Sequence, residues 1–186
     1  MTIRLAQQRG IADLLAFTFR SVSNPMAARY LSRLATLLAM AIWWGGLTFY
    51  ALFVVPTGVD VLGGETEQGF ITQRVSNIIN LCGLLALVVL LVHAAVSWRS
   101  IGRLSRIALS STWLITAAAQ FALLLMHPRL DALLDVPSHT IIEPSSFHRL
   151  HELYLIVTTI QWSAALVHLV AIIKIWSREA RNQSAE

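Results

Sequence analysis

The sequence predicts an all-α, polytopic membrane protein with four transmembrane helices, and three observations lead to that fold class. Of its 186 residues, 56% are hydrophobic and only 13% are charged, whereas soluble domains carry about 25% charged residues. The mean hydropathy is +0.64. Four separate segments each hold about 20 mostly apolar residues, which is enough for a helix to cross a bilayer. We expect the four helices to pack as a left-handed, up-down bundle.

The predicted spans cover residues 30–55, 78–98, 107–126 and 153–176. Pro56 and Gly58 are expected to end the first of these helices, because both residues interrupt regular helix. The spans and their connections form one predicted transmembrane domain, residues 25–177. The polar residues 178–186 are expected to be a disordered tail.

The segment before the spans, residues 1–24, mixes apolar residues at helical spacing with arginines. This pattern is typical of a short amphipathic helix that lies on an anionic membrane surface. A frayed tail is the alternative, since chain ends are often poorly ordered. Either form places a cytoplasmic segment before the transmembrane domain.

Basic residues are distributed unevenly between the two sides of the predicted membrane. Eleven of the fourteen Lys and Arg residues lie before or at the start of span one, between spans two and three, or at or beyond the end of span four. The positive-inside rule therefore predicts that both termini are cytoplasmic. We expect a multi-pass protein of a cell membrane, most simply a bacterial inner membrane. The pI near 10 does not indicate nucleic acid as a partner, because the basic residues flank the apolar spans.

Polar residues recur along the predicted spans at alternating intervals of three and four residues. This is the spacing of a seam that faces neighbouring helices in a left-handed bundle. Span four carries His151, Tyr154, Thr158, Gln161, Ala165 and His168. Span three carries Trp113, Thr116, Gln120, Leu123 and His127, and span two carries Cys82, Ala86, Val89 and His93. Polar side chains are costly in lipid, so we expect this seam to face the bundle interior.

Four of these residues form two candidate histidine pairs. His93 and His168 lie at similar depth near the cytoplasmic side, and His127 and His151 lie near the outer side. Two histidines on facing helices can ligate a b-type haem or a copper ion. The alternative is that these side chains only form hydrogen bonds inside the bundle.

Span one contains Gly45 and Gly46, and small residues allow a neighbouring helix to approach closely. The sequence therefore predicts a helix-packing surface at this glycine pair. The chain contains no phosphate-binding loop with Gly-Lys, no dinucleotide fingerprint, no nucleophile elbow and no CxxC. No catalytic residue is predicted, and an enzymatic role is not expected.

Three short motifs carry a resemblance to a known family. Trp44-Gly45-Gly46, followed by Phe49 and Val55-Pro56, resembles the W-x-G-G … P pattern of small membrane proteins of unknown function related to transmembrane protein 205. Pro128 and the stretch after it resemble the outer end of that family's third helix, and Phe147 to His151 resembles the F-x-x-L-H that opens its last helix. The resemblance implies a four-helix membrane protein without an assigned reaction. A weaker similarity to the copper-resistance D family implies copper handling.

Three functions remain open from the sequence. The first is a non-enzymatic accessory or stress-tolerance membrane protein. The second is an electron-transfer protein that binds haem b or copper at the histidine pairs. The third is a conduit for small solutes or ions along the polar seam, which would require an oligomer because four helices enclose little space. The expected partners are the lipid bilayer and a homo-oligomer or larger membrane complex.

Overall fold

The computed structural model describes residues 25–184 and contains four helices that are long and apolar enough to cross a membrane. The first helix, α1, runs from Pro25 to Leu62, and the others are α2 (Glu65–Ser97), α3 (Arg103–Asp131) and α4 (Pro144–Gln183). The all-α class and the four membrane-spanning candidates are therefore confirmed. The predicted amphipathic helix in residues 1–24 lies outside the described residues.

The helix α1 is not α-helical throughout. It consists in order of Pro25–Met40, a π-helical segment Ala41–Gly45, Gly46–Phe49, a second π-helical segment Tyr50–Val54, and Val55–Leu62. Each π turn contains an extra residue and therefore rotates the side chains that follow it.

Pro56 does not end α1, contrary to the prediction. It lies in the first turn after the second π-helical segment, and local π-helical adjustments are one way in which membrane helices accommodate the backbone groups that a proline frees. The helix ends instead at Gly63, whose φ of 78° is left-handed and whose N–H donates to the Val59 carbonyl at 3.1 Å. This geometry is a common helix terminus that favours glycine.

The longest connection, between α3 and α4, contains a small hairpin. Strand β1 (Leu134–Asp135) pairs antiparallel with β2 (Thr140–Ile141). His139 in the turn has a φ of 53°, which is uncommon for a residue other than glycine. Pro128 lies inside α3, near its C-terminal end.

The C-terminal tail is shorter than predicted, because α4 continues to Gln183. Residues 178–183 are therefore helical, where the sequence predicted disorder. Glu179 explains the extension, since its carboxylate forms an ion pair with Arg33 of α1 and accepts a hydrogen bond from Ser100 at 3.2 Å. These contacts hold the last turns of α4 against the rest of the bundle.

The four helices pack in chain order, and α3 lies along α4 for much of its length. Their outer surface is strongly apolar. Leu38, Leu85, Phe121 and Ile156, one from each helix, are between 54% and 64% exposed. An apolar surface of this extent is typical of contact with lipid or another protein rather than with water.

Candidate functional site

The centre of the bundle contains a continuous chain of hydrogen bonds between side chains of α2, α3 and α4. Gln161 Nε2 donates to Gln120 Oε1 at 2.9 Å, and Gln120 Nε2 donates to Asn80 Oδ1 at 3.2 Å. Asn80 Nδ2 then donates to the Tyr154 hydroxyl at 3.1 Å. Gln120 is 1% exposed and Gln161 is 2% exposed. We call these four residues the central polar chain.

The hydrogen bonds of the central polar chain all run in one direction, because each amide donates from its NH₂ group to the next residue. Both ends of the Gln120 amide are used, one as an acceptor and one as a donor. An amide that is buried without partners costs free energy, and in lipid it has no water to replace them. The members of the central polar chain therefore provide hydrogen-bond partners for one another, and their hydrogen bonds join three helices.

Of the five residues in the predicted seam that carry a hydroxyl or amide group, three belong to the central polar chain, namely Gln120, Gln161 and Tyr154. The other two, Thr116 and Thr158, donate within their own helices to the carbonyls of Thr112 and Tyr154, each at 2.8 Å. They lie beside the chain without extending it. The structure thus brings together the amides and the tyrosine of the predicted seam, but not its threonines.

Asn80 was not predicted, because only two of the four residues predicted for the seam on α2 lie on its buried face. Cys82 and Val89 of the predicted seam are only partly buried. The buried face of α2 instead includes Asn80, Gly83 and Leu90, together with the correctly predicted His93 and Ala86. The three-residue spacing of Asn80, Gly83 and Ala86 is the sequence pattern that could have indicated this buried face.

One close helix approach in this bundle occurs at Gly83 of α2. A Cβ atom at this position would lie 2.2 Å from Gln120 Oε1 and 2.7 Å from Trp43 Nε1, so only glycine fits without movement of its neighbours. At Gly45 and Gly46 a Cβ atom would meet nothing within 4 Å. No other helix of the described residues therefore approaches these two glycines closely, and Trp43 of the π-helical segment is buried instead. A helix-packing role of the glycine pair stays a prediction.

Two tryptophans join α1 to α4. The rings of Trp44 and Trp162 stack with their centroids 5.0 Å apart. Trp44 Nε1 donates to the Trp162 carbonyl at 3.1 Å, and Trp162 Nε1 donates to the Thr48 hydroxyl at 2.8 Å. We call this arrangement the tryptophan pair. It combines ring stacking with two indole hydrogen bonds between the first and last helices.

Both ring nitrogens of His93 have hydrogen-bond partners. Trp176 Nε1 donates to Nε2 of His93 at 3.3 Å, and Nδ1 lies 2.9 Å from the Ser32 hydroxyl. An indole N–H is only a donor, so Nε2 is the acceptor and neutral His93 carries its proton on Nδ1. A metal or haem iron at either nitrogen would have to displace Trp176 or Ser32.

His168, the other member of the inner pair, keeps one nitrogen without a partner. Its Nδ1 lies 2.7 Å from the Thr112 hydroxyl, and the residue is 1% exposed. Its Nε2 is buried and has no hydrogen-bond partner among the described residues. The hydroxyl of Thr36 is also buried and also lacks a partner among them. His168 Nε2 is therefore the one open coordination position of the inner pair.

The outer pair makes separate contacts. His127 Nε2 lies 3.6 Å from Asp131 Oδ2, whereas the His151 ring stacks on Phe147 with centroids 5.6 Å apart. Within residues 25–184, no three His, Cys, Asp or Glu side chains are grouped closely enough to hold a metal ion.

No family model, curated protein or solved structure matches this chain. The resemblance to the small four-helix membrane proteins therefore stays a prediction from short motifs.

Proposed function

We propose that this protein is a non-enzymatic accessory protein of a cell membrane, whose polar interior holds its helices together. The observation that carries the proposal is the central polar chain. Each link of that chain is a hydrogen bond from one member to another, so these residues act on one another rather than on a substrate. The protein then works through its outer surfaces, in contact with lipid and with membrane partners.

We further propose that both termini are cytoplasmic and that the bundle is left-handed. The orientation is supported by the Lys and Arg residues, eleven of which fall on one side. The handedness is supported by seven of the nine buried residues of α3, which recur at alternating intervals of three and four. They are Leu109, Thr112, Thr116, Ala119, Leu123, Met126 and Leu130.

Binding of haem b or copper is the second candidate function, and His168 is the observation in its favour. A buried imidazole nitrogen without a partner is a suitable ligand atom. His93 could become the second ligand only after Trp176 moves away from Nε2 or Ser32 moves away from Nδ1. A solute conduit ranks third, because the buried side chains of Gln120 and Gln161 occupy the bundle centre.

Purification of the full chain in mild detergent tests the proposed function against the second candidate. We expect no Soret band and no stoichiometric copper, and we expect the protein in native membrane extracts to migrate within a complex larger than its 20.6 kDa. His168→Ala should leave the spectrum and that migration unchanged. A Soret band or bound copper that disappears in His168→Ala would refute the proposal in favour of the second candidate, and migration as a free monomer would refute the accessory role.

A further inference from the structure

A groove opens on the outside of the bundle between the end of α2 and the beginning of α3. Its volume is about 620 Å³. The interior is apolar, with Leu91, Ala95 and the buried Leu109 among the residues that line it, and Arg99 and Ser110 add polar groups. The groove thus combines an apolar interior with a cationic residue where α2 meets its connection to α3.

The walls of this groove are held in place by the bundle. Trp113 lines the groove, and its Nε1 donates to the Leu87 carbonyl at 3.0 Å. Trp98 also lines the groove. The Arg106 guanidinium lies over the Trp98 ring, 5.4 Å from the ring centroid. Arg106 Nε in turn donates to the Ile101 carbonyl at 3.1 Å. Two aromatic walls are therefore positioned by neighbouring residues.

The charge around the groove has one sign. Arg99, Arg103 and Arg106 lie in or beside the connection between α2 and α3, and the sequence has no Asp or Glu between Glu67 and Asp131. Within the described part of the chain, none of these arginines forms an ion pair. The neighbouring carboxylate, that of Glu179, is already engaged by Arg33. An anionic group at this end of the groove would therefore meet uncompensated positive charge.

We propose that this groove binds one phospholipid with an anionic headgroup. The phosphate lies at Arg99, because a guanidinium group matches phosphate oxygens with paired hydrogen bonds. One acyl chain lies on the apolar interior past Ala95 and Leu109. Basic pockets between transmembrane helices are suited to anionic headgroups. The proposal goes beyond a general attraction of arginines to the membrane, because it requires a single, saturable site.

The site is tested by native mass spectrometry of the full chain in detergent, titrated with phosphatidylglycerol or with phosphatidylcholine of the same acyl chains. We expect one phosphatidylglycerol to be retained in preference to phosphatidylcholine. Arg99→Ala removes the phosphate ligand and should weaken binding about fivefold, since one Arg near a lipid surface contributes about 1 kcal/mol. Ala95→Phe fills the groove without a change of charge and should abolish the one-to-one complex.

Two control variants distinguish lipid binding at this site from nonspecific lipid binding elsewhere on the protein. Arg178→Ala removes an exposed cationic residue on α4, and Leu85→Phe adds an aromatic ring on the outer face of α2, away from the groove. Both should retain the lipid. Ala95 and Arg99 are exposed, so we expect their variants to fold. Equal binding of the two lipids, equal loss in Arg178→Ala and Arg99→Ala, or unchanged binding in Ala95→Phe would each overturn the proposal.

Discussion

Gln161 and Gln120 are joined by a hydrogen bond of 2.9 Å between side chains that are almost completely buried. Gln120 also donates to Asn80 at 3.2 Å, so it joins α3 to both α4 and α2. Removal of Gln120 therefore affects two partners on two other helices, whereas removal of a terminal member affects one.

Gln120→Leu should destabilise the protein by about 1 to 3 kcal/mol, because it leaves buried polar atoms of Gln161 and Asn80 without partners. Unfolding in detergent micelles, followed by circular dichroism, measures the change. Thr159→Val is the matched control, since the exposed Thr159 hydroxyl donates only to the Leu155 carbonyl of its own helix. The double variant Gln120→Leu/Gln161→Leu should cost less than the sum of the two single changes. Strict additivity would show that the two amides do not interact.

Gly83→Ala should destabilise the protein, whereas Gly46→Ala should not. Alanine favours helix over glycine by up to about 1 kcal/mol, so Gly46→Ala should be neutral or slightly stabilising, since its Cβ meets no atom within 4 Å. At Gly83 the new Cβ would lie 2.2 Å from Gln120 Oε1, and overpacking typically costs about 1 to 3 kcal/mol. The melting temperatures of the two variants provide the measurement. A gain in stability for Gly83→Ala would contradict the close approach of α2 and α3.

The glycines also show how far the sequence alone could specify this fold. The four spans were predictable, because lipid imposes a length and an apolar composition on every crossing helix. The face that α2 turns inward was not fully predictable. Its lipid-facing residues are as apolar as its core, so hydrophobic periodicity hardly distinguishes Cys82 from Gly83. On α3 and α4 the glutamines marked the inward face, since lipid excludes them from the outside.

The two π-helical segments of α1 were unpredictable for a different reason. A π turn is less regular than an α turn and depends on packing with other helices, which no local pattern in Trp43–Gly46 reveals. The rotation it introduces turns Trp43 inward and leaves Gly46 exposed. The helix extensions beyond the predicted spans likewise depend on distant contacts, such as that between Arg33 and Glu179.

The tryptophan pair provides a test of the contact between α1 and α4. Trp162→Phe removes the hydrogen bond to Thr48 but retains an aromatic ring beside Trp44 and the carbonyl that accepts from it. We expect a loss of about 1 kcal/mol in the free energy of unfolding, the usual value of one hydrogen bond. Trp98→Phe is the comparison, because Trp98 is 41% exposed and makes no indole hydrogen bond among residues 25–184. An equal loss in the free energy of unfolding for the two variants would argue against the hydrogen-bonded tryptophan pair.

The proposed orientation can be tested with single cysteines. Cys82 is the only native cysteine, so Cys82→Ser provides a background for Ser100→Cys, between α2 and α3, and Ser138→Cys, in the hairpin turn. Both positions are exposed. In intact cells, a membrane-impermeant thiol reagent should label position 138 and should reach position 100 only after the membrane is opened. The reverse pattern of labelling would place both termini outside.

The ion pair between Arg33 and Glu179 should control the order of the last turns of α4. Glu179→Gln removes the charge but can still donate and accept hydrogen bonds, so the expected loss is below about 1 kcal/mol, as for a partly exposed ion pair. Its effect should instead be local. Amide hydrogen exchange in residues 178–183 should become faster, because the end of α4 loses its charged contact with α1.

Glu152→Gln is the control, since Glu152 is exposed and forms no ion pair within the described residues. Unchanged exchange in Glu179→Gln would mean that α4 keeps its last turns by helix propensity alone, in which case Arg33 only neutralises a charge at the membrane surface.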